Sequence, residues 1–297
     1  MVQLARVRSL SHNNAVYWAA FSNDGKSLAT ASLDNTVKIW TASDGRHVAT
    51  LKGHGDGVAF VGYLADGRIV TASLDRTLKL WPADATSPTT TLRGHEGDYL
   101  GCATTSRTGS LIASGGFDKT VRLWDAQSGG ALATLIGHTA AVQSVAISAN
   151  DRIVASGSDD RSIRLWDVTA KGLLRTLSGH ESTVESLVFA AKDELLVSGS
   201  GDGTIRFWTL DGTLADKLEP KCGRIKSVTF SPDGELLASG NADGTVRLWD
   251  VSARREISVT PAHQNTVYCV AFDPAGKLLA SASFDRSIHV WELRRGV

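Results

Sequence analysis

Serine or threonine, histidine and aspartate recur in this chain at spacings that, assembled once, could relay a proton during hydrolysis. Ser156, His138 and Asp160 make one such set, and Ser198, His180 and Asp202 make another. A hydrolytic triad is a single site with one nucleophile, one base, one orienting acid and an oxyanion hole beside them. Here the set is copied along the chain. A repeated set reads as a scaffold bond, because catalytic roles need a geometry that repetition does not supply.

Tryptophan supplies the register of the copies. Seven of the eight tryptophans stand at Trp40, Trp81, Trp124, Trp166, Trp208, Trp249 and Trp291, with gaps of 41 to 43 residues. Six residues before each is an aspartate: Asp34, Asp75, Asp118, Asp160, Asp202, Asp243 and Asp285. Four residues before each aspartate is a hydroxyl: Thr30, Thr71, Ser114, Ser156, Ser198, Ser239 and Ser281. In six copies a histidine precedes the aspartate by 21 to 23 residues: His12, His54, His95, His138, His180 and His263. The sixth copy departs. Counting back from Asp243 reaches Lys221, within Glu219-Pro-Lys-Cys-Gly223.

The segments between these markers read as short strands. Val142–Ser148, Ile153–Ser158, Ser162–Asp167 and Leu173–Leu177 carry alternating apolar and β-branched positions, the period of a half-buried strand. Asn23-Asp-Gly25, Ala65-Asp-Gly67 and Ser231-Pro-Asp-Gly234 are turn signals between first and second strands. No window carries the 3.6-residue apolar period of a helix. Four strands in each unit of about 40–45 residues is the pattern of a propeller blade.

On these residues the chain resembles the WD-repeat family over essentially its whole length. The carrying motifs are Gly53-His54, Gly94-His95, Gly137-His138 and Gly179-His180, the seven Asp-to-Trp spacings, and endings such as Leu165-Trp-Asp167. The resemblance implies an all-β, seven-bladed β-propeller of four-stranded antiparallel blades around a central channel, without enzymatic activity in most members. It also implies that Trp, Ser/Thr, His and Asp form a hydrogen-bond chain in each blade. The indole only donates, hydroxyl and neutral imidazole both donate and accept, and carboxylate only accepts. In that order every member is satisfied.

Ring closure follows from lengths. After Trp291 six residues remain, too few for a turn and an outer strand, whereas eleven precede His12 and include Leu4-Ala-Arg-Val-Arg8. The N-terminal stretch is therefore expected to complete the last blade. Repeats are placed at 12–52, 53–93, 94–136, 137–178, 179–219, 220–261 and 262–297, with 1–11 joining the last, in one domain of residues 1–297. On this reading no second domain is left over, and the chain is a scaffold or the regulatory propeller of a larger signalling protein. A propeller enzyme is the remaining alternative; it would need a non-repeated cluster of acids, histidines or metal ligands, and none stands out.

Composition points the same way. Lys plus Arg equals Asp plus Glu at 31 each, and the isoelectric point near 7.1 argues against direct nucleic-acid binding. Cys102, Cys222 and Cys269 have no metal-like spacing, so no metal and no cofactor are expected. An odd cysteine count suits a reducing, cytoplasmic setting, with the nucleus also compatible. No apolar run reaches the roughly 18–20 residues of a membrane helix. Gly199-Ser-Gly-Asp-Gly203 has no helix after it to cradle phosphate. Arg254-Arg255 and Arg294-Arg295 read as solvated pairs.

Function is expected on loops. By the resemblance, the face bearing the His and Asp loops docks partners through the residue before each Asp and those three and five after each His. One arc of that face offers Tyr17, Leu33, Leu74, Leu100, Phe117, Tyr268 and Phe284, and the other Asp159, Glu185, Arg224 and Lys226. Clustered exposed aromatics favour interaction. The expected partner is a protein or peptide, bound by a chain itself monomeric within a larger complex.

Overall fold

The computed structural model describes residues 2–84, 87–97, 99–190 and 194–295. Met1, Gly296 and Val297, counted above into the domain, lie outside the described residues. Seven four-stranded antiparallel sheets form the blades of a propeller. Blade one runs outward through Val16–Phe21, Ser27–Ser32, Thr36–Thr41 and His47–Lys52. Blade seven takes three strands from Val267–Phe272, Leu278–Ser283 and Ser287–Arg295, and its outer strand is Val2–Ser11. That strand pairs antiparallel from Val2↔Arg295 to Ser11↔Ser287, so the N-terminus closes the ring. Closure leaves no blade flank open to wrong pairing.

Each inner strand carries a β-bulge at one place, between Val16 and Trp18 in blade one, Val142 and Ser144 in blade four, and Val267 and Cys269 in blade seven. A bulge inserts one residue and re-aims its side chain. The residue that follows it ties neighbouring blades together. Ser144, Ser186 and Ser227 hydroxyls accept the amides of Leu187, Val228 and Val270 on the next inner strand, at 2.9, 3.0 and 3.1 Å. Cys269 and Cys102 occupy the same position and are buried. Their thiols point at carbonyls of the following blade, Ala19 at 3.6 Å and Val142 at 3.7 Å. Burial pushes both thiols up to about 12, so they pack as small apolar groups.

The core lies between blades. Leu80, Leu100, Ile112 and Trp124 bury together where blades two and three meet, and Ile163, Leu165, Val184 and Trp208 where four meets five.

The turn after each aspartate holds one residue in the left-handed region. Glycine serves in blades five and six (Gly203, φ 81°; Gly244, φ 81°), but Arg76, Lys119, Arg161 and Arg286 sit there at 67–73°. For a residue with a Cβ that conformation costs about 1–2 kcal/mol.

Candidate functional site

The recurrent polar residues come together within blades. In blade four, His138 Nδ1 lies 2.8 Å from Asp160 Oδ2 and Nε2 lies 2.7 Å from Ser156 Oγ, which accepts the Trp166 indole N–H at 2.8 Å. Blades one, two, three, five and seven repeat this chain through His12, His54, His95, His180 and His263. The same carboxylate accepts the amide of the residue after the histidine, as from Thr139 at 3.0 Å, and so pins the entry loop.

Burial favours the neutral form of four of these imidazoles, those of His12, His138, His180 and His263. Burial drives His138 and His180 below their ordinary value against the pull of Asp160 and Asp202. Burial, reinforced by His289, takes His263 down to about 4. Burial also opposes the charge on Asp160, but bonds from Ser162, the Thr139 amide and His138 outweigh it and hold that carboxyl well below its usual range. A neutral imidazole donating to a carboxylate and accepting from a hydroxyl has no capacity left for a substrate. The hydroxyl, donating to Nε2 and accepting from the indole, is equally committed.

Blade six differs. Trp249 still donates to Ser239 at 3.1 Å, but Lys221, the counted stand-in for histidine, is exposed. Cys222 is the buried residue of that loop, 3.4 Å from Asn241 Oδ1, and burial pushes its thiol to about 11. Asp243, without an imidazole, bonds Thr245 at 2.6 Å and Arg247 at 3.3 Å.

At the His and Asp end of the channel the bulged residues Tyr17, Ala59, Gly101, Gln143, Glu185, Lys226 and Tyr268 line a cavity of about 360 Å³, with Trp18, Leu74, Tyr99, Cys102 and Phe117. Tyr17 and Tyr268 stack at 4.4 Å between ring centres, Phe284 lies 6.2 Å from Tyr268, and Tyr99 meets Phe117 edge-on at 5.3 Å. Phe117 and Phe284 are 37% and 46% exposed. Leu33 sits over Gly57, where a Cβ would come within 2.4 Å of its Cδ2.

Leu100 is a correction. It is fully buried, pairs with Gly116 and packs in the core between blades two and three. The third entry loop is one residue longer, so the bulged position equivalent to Tyr17 is Gly101, and Tyr99 supplies the aromatic. The 23-residue His95–Asp118 spacing carries that signal. Trp18 is the residue that sequence reading passed over. It packs on Phe60 at 5.3 Å and borders both this cavity and a second, of about 440 Å³, at the far end of the channel. It is the one tryptophan out of register with the repeat.

The charged arc is internally paired. Glu185 meets Lys226 at 2.9 Å and Arg224 at 3.9 Å, while Asp159 accepts from Gln143 at 3.0 Å and Thr183 at 2.9 Å. Lys226 also lies over the Tyr268 ring, 5.6 Å from its centre. On the opposite face, Arg254 is not simply solvated: its guanidinium stacks over Phe207 at 3.8 Å and pairs with Asp216 at 3.7 Å.

Comparison with known proteins follows this geometry. A 60-residue stretch is 43% identical to the WD repeat-containing protein WDS homolog of Arabidopsis thaliana, covering 19% of this chain and 12% of that protein. Another of 49 residues is 39% identical to human WD repeat-containing protein 86, covering 16% and 13% respectively. Each match thus spans a small part of the relative. The model of the WD domain, G-beta repeat, matches seven times, at residues 5–41, 45–82, 86–125, 129–167, 171–209, 212–250 and 254–292. Seven repeats, seven blades and a strand exchanged to close the ring make this chain a member of the WD40 repeat family.

Proposed function

We propose that this protein is a non-enzymatic interaction scaffold that docks a peptide segment of a protein partner at the channel mouth on the His and Asp face. WD40 propellers are typically protein-interaction scaffolds and generally not enzymes. The observation that carries the reading is the aromatic mouth. Tyr17, Tyr99, Phe117 and Tyr268 line one cavity together with Trp18, and Phe284 lies beside Tyr268. Large, partly exposed rings around a pocket are the usual anchors of an interface. The committed His, Ser and Asp groups support a structural role for the triad-like sets. Three buried unpaired thiols support a reducing, cytoplasmic setting, and the closed ring supports a monomer acting within a larger complex.

The test is Phe117→Ala combined with Phe284→Ala. Both side chains are substantially exposed, so the melting temperature should hold while capture of the native partner from extract is lost. The comparison variant on the opposite face should be Arg46→Ala with Arg255→Ala, because Arg254 packs on Phe207. A folded aromatic double variant that still captures the partner moves docking to another surface.

A further inference from the structure

We propose that the segment captured on this face is acidic, and that an apolar or aromatic side chain within it enters the mouth; this rests on reading the face as a docking surface. Four residues carry the inference: Arg76, Lys119, Arg161 and Arg286. Each follows a network aspartate, is exposed, and is held at φ between 67° and 73°. Among the described residues none of these four side chains has a hydrogen-bond or ion-pair partner. A long side chain gains nothing from a left-handed backbone, which glycine or asparagine adopts more easily. Strain of this kind points from the observed outlier to a role.

Their placement is selective. In blades five and six the equivalent glycines are sealed by the next entry loop: a Cβ on Gly203 would lie 3.1 Å from the Gly223 carbonyl oxygen, and one on Gly244 2.4 Å from that of His263. Blade one has Asn35 there. The bases therefore fall in blades seven, two and three, on the side of the ring that bears the aromatic mouth, and in blade four next to it. Each stands two residues beyond a face position: Arg286 beyond Phe284, Arg76 beyond Leu74, Lys119 beyond Phe117 and Arg161 beyond Asp159.

Among the described residues the mouth offers little to a cation. Glu185, its carboxylate, is already paired with Lys226, which also occupies one face of Tyr268. Asp159 is satisfied by Gln143 and Thr183. The network aspartates turn inward to their histidines, and Asp243 is held by Arg247. Among the described residues the exposed acids Asp56, Glu96, Glu181 and Glu219 stand against the four bases; Asp56 accepts the Gly57 amide, Glu219 pairs with Lys217, and Lys221 adds a further exposed base to the same face. What remains is an apolar well inside a basic arc.

The experiment measures binding of fluorescein-labelled peptides to the whole protein by anisotropy. The first carries a central Leu-Phe pair with glutamates on both sides; its counterparts have serine or lysine flanks, or alanine in place of Leu-Phe. The glutamate-flanked peptide should bind best, lose affinity with added salt, and weaken when either its flanks or its centre are replaced. In Arg76→Gly, Lys119→Gly, Arg161→Gly and Arg286→Gly combined, the turns keep a residue suited to their backbone, so the fold should persist. Affinity for the glutamate peptide should then fall about tenfold, the sum of several modest exposed pairings. Equal binding of serine- and glutamate-flanked peptides, or better binding of the lysine peptide, overturns the acidic assignment. If Phe117→Ala with Phe284→Ala abolishes that binding, the docking reading survives alone. No binding by any peptide removes both. Tighter binding of a single-stranded oligonucleotide matched in charge would also overturn the proposal, since the basic arc would then serve a backbone of phosphates.

Discussion

Blade five and blade six are separate sheets of the same pattern, yet only one of the two has the histidine network. In blade five the second and third strands pair from Leu195↔Thr209 to Gly199↔Ile205, and in blade six from Leu236↔Asp250 to Gly240↔Val246. Tryptophan reaches the hydroxyl in both. What blade six lacks is the link onward. Asp202 holds both His180 and the Glu181 amide, whereas Asp243 reaches Thr245 and Arg247, and the Cys222 amide bonds the Pro220 carbonyl at 2.7 Å instead. The network is therefore not what makes a blade. Sheet pairing and apolar packing between blades do that, and the network fastens the entry loop to the turn above it.

Acid should undo that fastening in blades one, four, five and seven, and it is the largest effect expected. His12, His138, His180 and His263 all have folded values below the ordinary imidazole, His263 at about 4. The unfolded chain protonates first, near pH 6.5. Stability from these groups is thus complete above about pH 6.5 and drains as the pH falls through the folded values toward 4. The depressed carboxyls of Asp160 and Asp202 extend the loss below that. Thermal melts from pH 7.5 to 4 should show a steadily falling midpoint. A flat profile across pH 6.5 to 4 would mean that the imidazoles are not held neutral.

A single substitution sharpens the contrast. His180→Ala strands Ser198 and Asp202 short of a partner inside the blade, at an expected loss of about 1–3 kcal/mol by chemical denaturation. Lys221→Ala, at the matching position of blade six, alters an exposed side chain and should stay within about 0.5 kcal/mol. Equal losses would show that Lys221 carries weight that its exposure denies.

The repeat was legible because each member of the network has one chemical role, so its spacing cannot drift far. Indole, hydroxyl, imidazole and carboxylate must meet at about 3 Å, and seven copies of one interval follow. Positions defined only by counting from a loop were less secure. One extra residue between His95 and the bulge moved Leu100 into the core and Tyr99 to the surface. In blade six the count from Lys221 does reach the bulged Lys226, but the buried side chain of that loop is its neighbour Cys222. Trp18 and the stack of Arg254 on Phe207 were not readable at all, because each depends on residues from different strands meeting in the folded ring. The pairing of Glu185 with Lys226 is of the same kind. It joins two blades, 41 residues apart, and neutralises an arc that composition alone presents as charged.

The finest test of the comparison is thiol labelling, which reads local opening without changing the protein. Cys102 and Cys269 sit on inner strands between blades, buried, and should react only when the ring unfolds. Cys222 is as well buried, but its loop lacks the bond to the turn aspartate that pins the equivalent loop in every blade that has the histidine, since Asp243 is held by Thr245 and Arg247. Its thiol is also pushed up less, to about 11 against about 12 for the others. Local opening of an unfastened loop costs less than global unfolding, and the thiolate is the reactive form. In native buffer, timed alkylation followed by peptide mass spectrometry should therefore mark Cys222 first, with Cys102 and Cys269 protected until denaturant is added. Introducing His180→Ala should leave that order intact, because the loosened loop of blade five carries no cysteine. Simultaneous labelling of all three thiols would mean that the blade-six loop is as firmly held as the rest, and that the missing histidine has been replaced by contacts of equal strength.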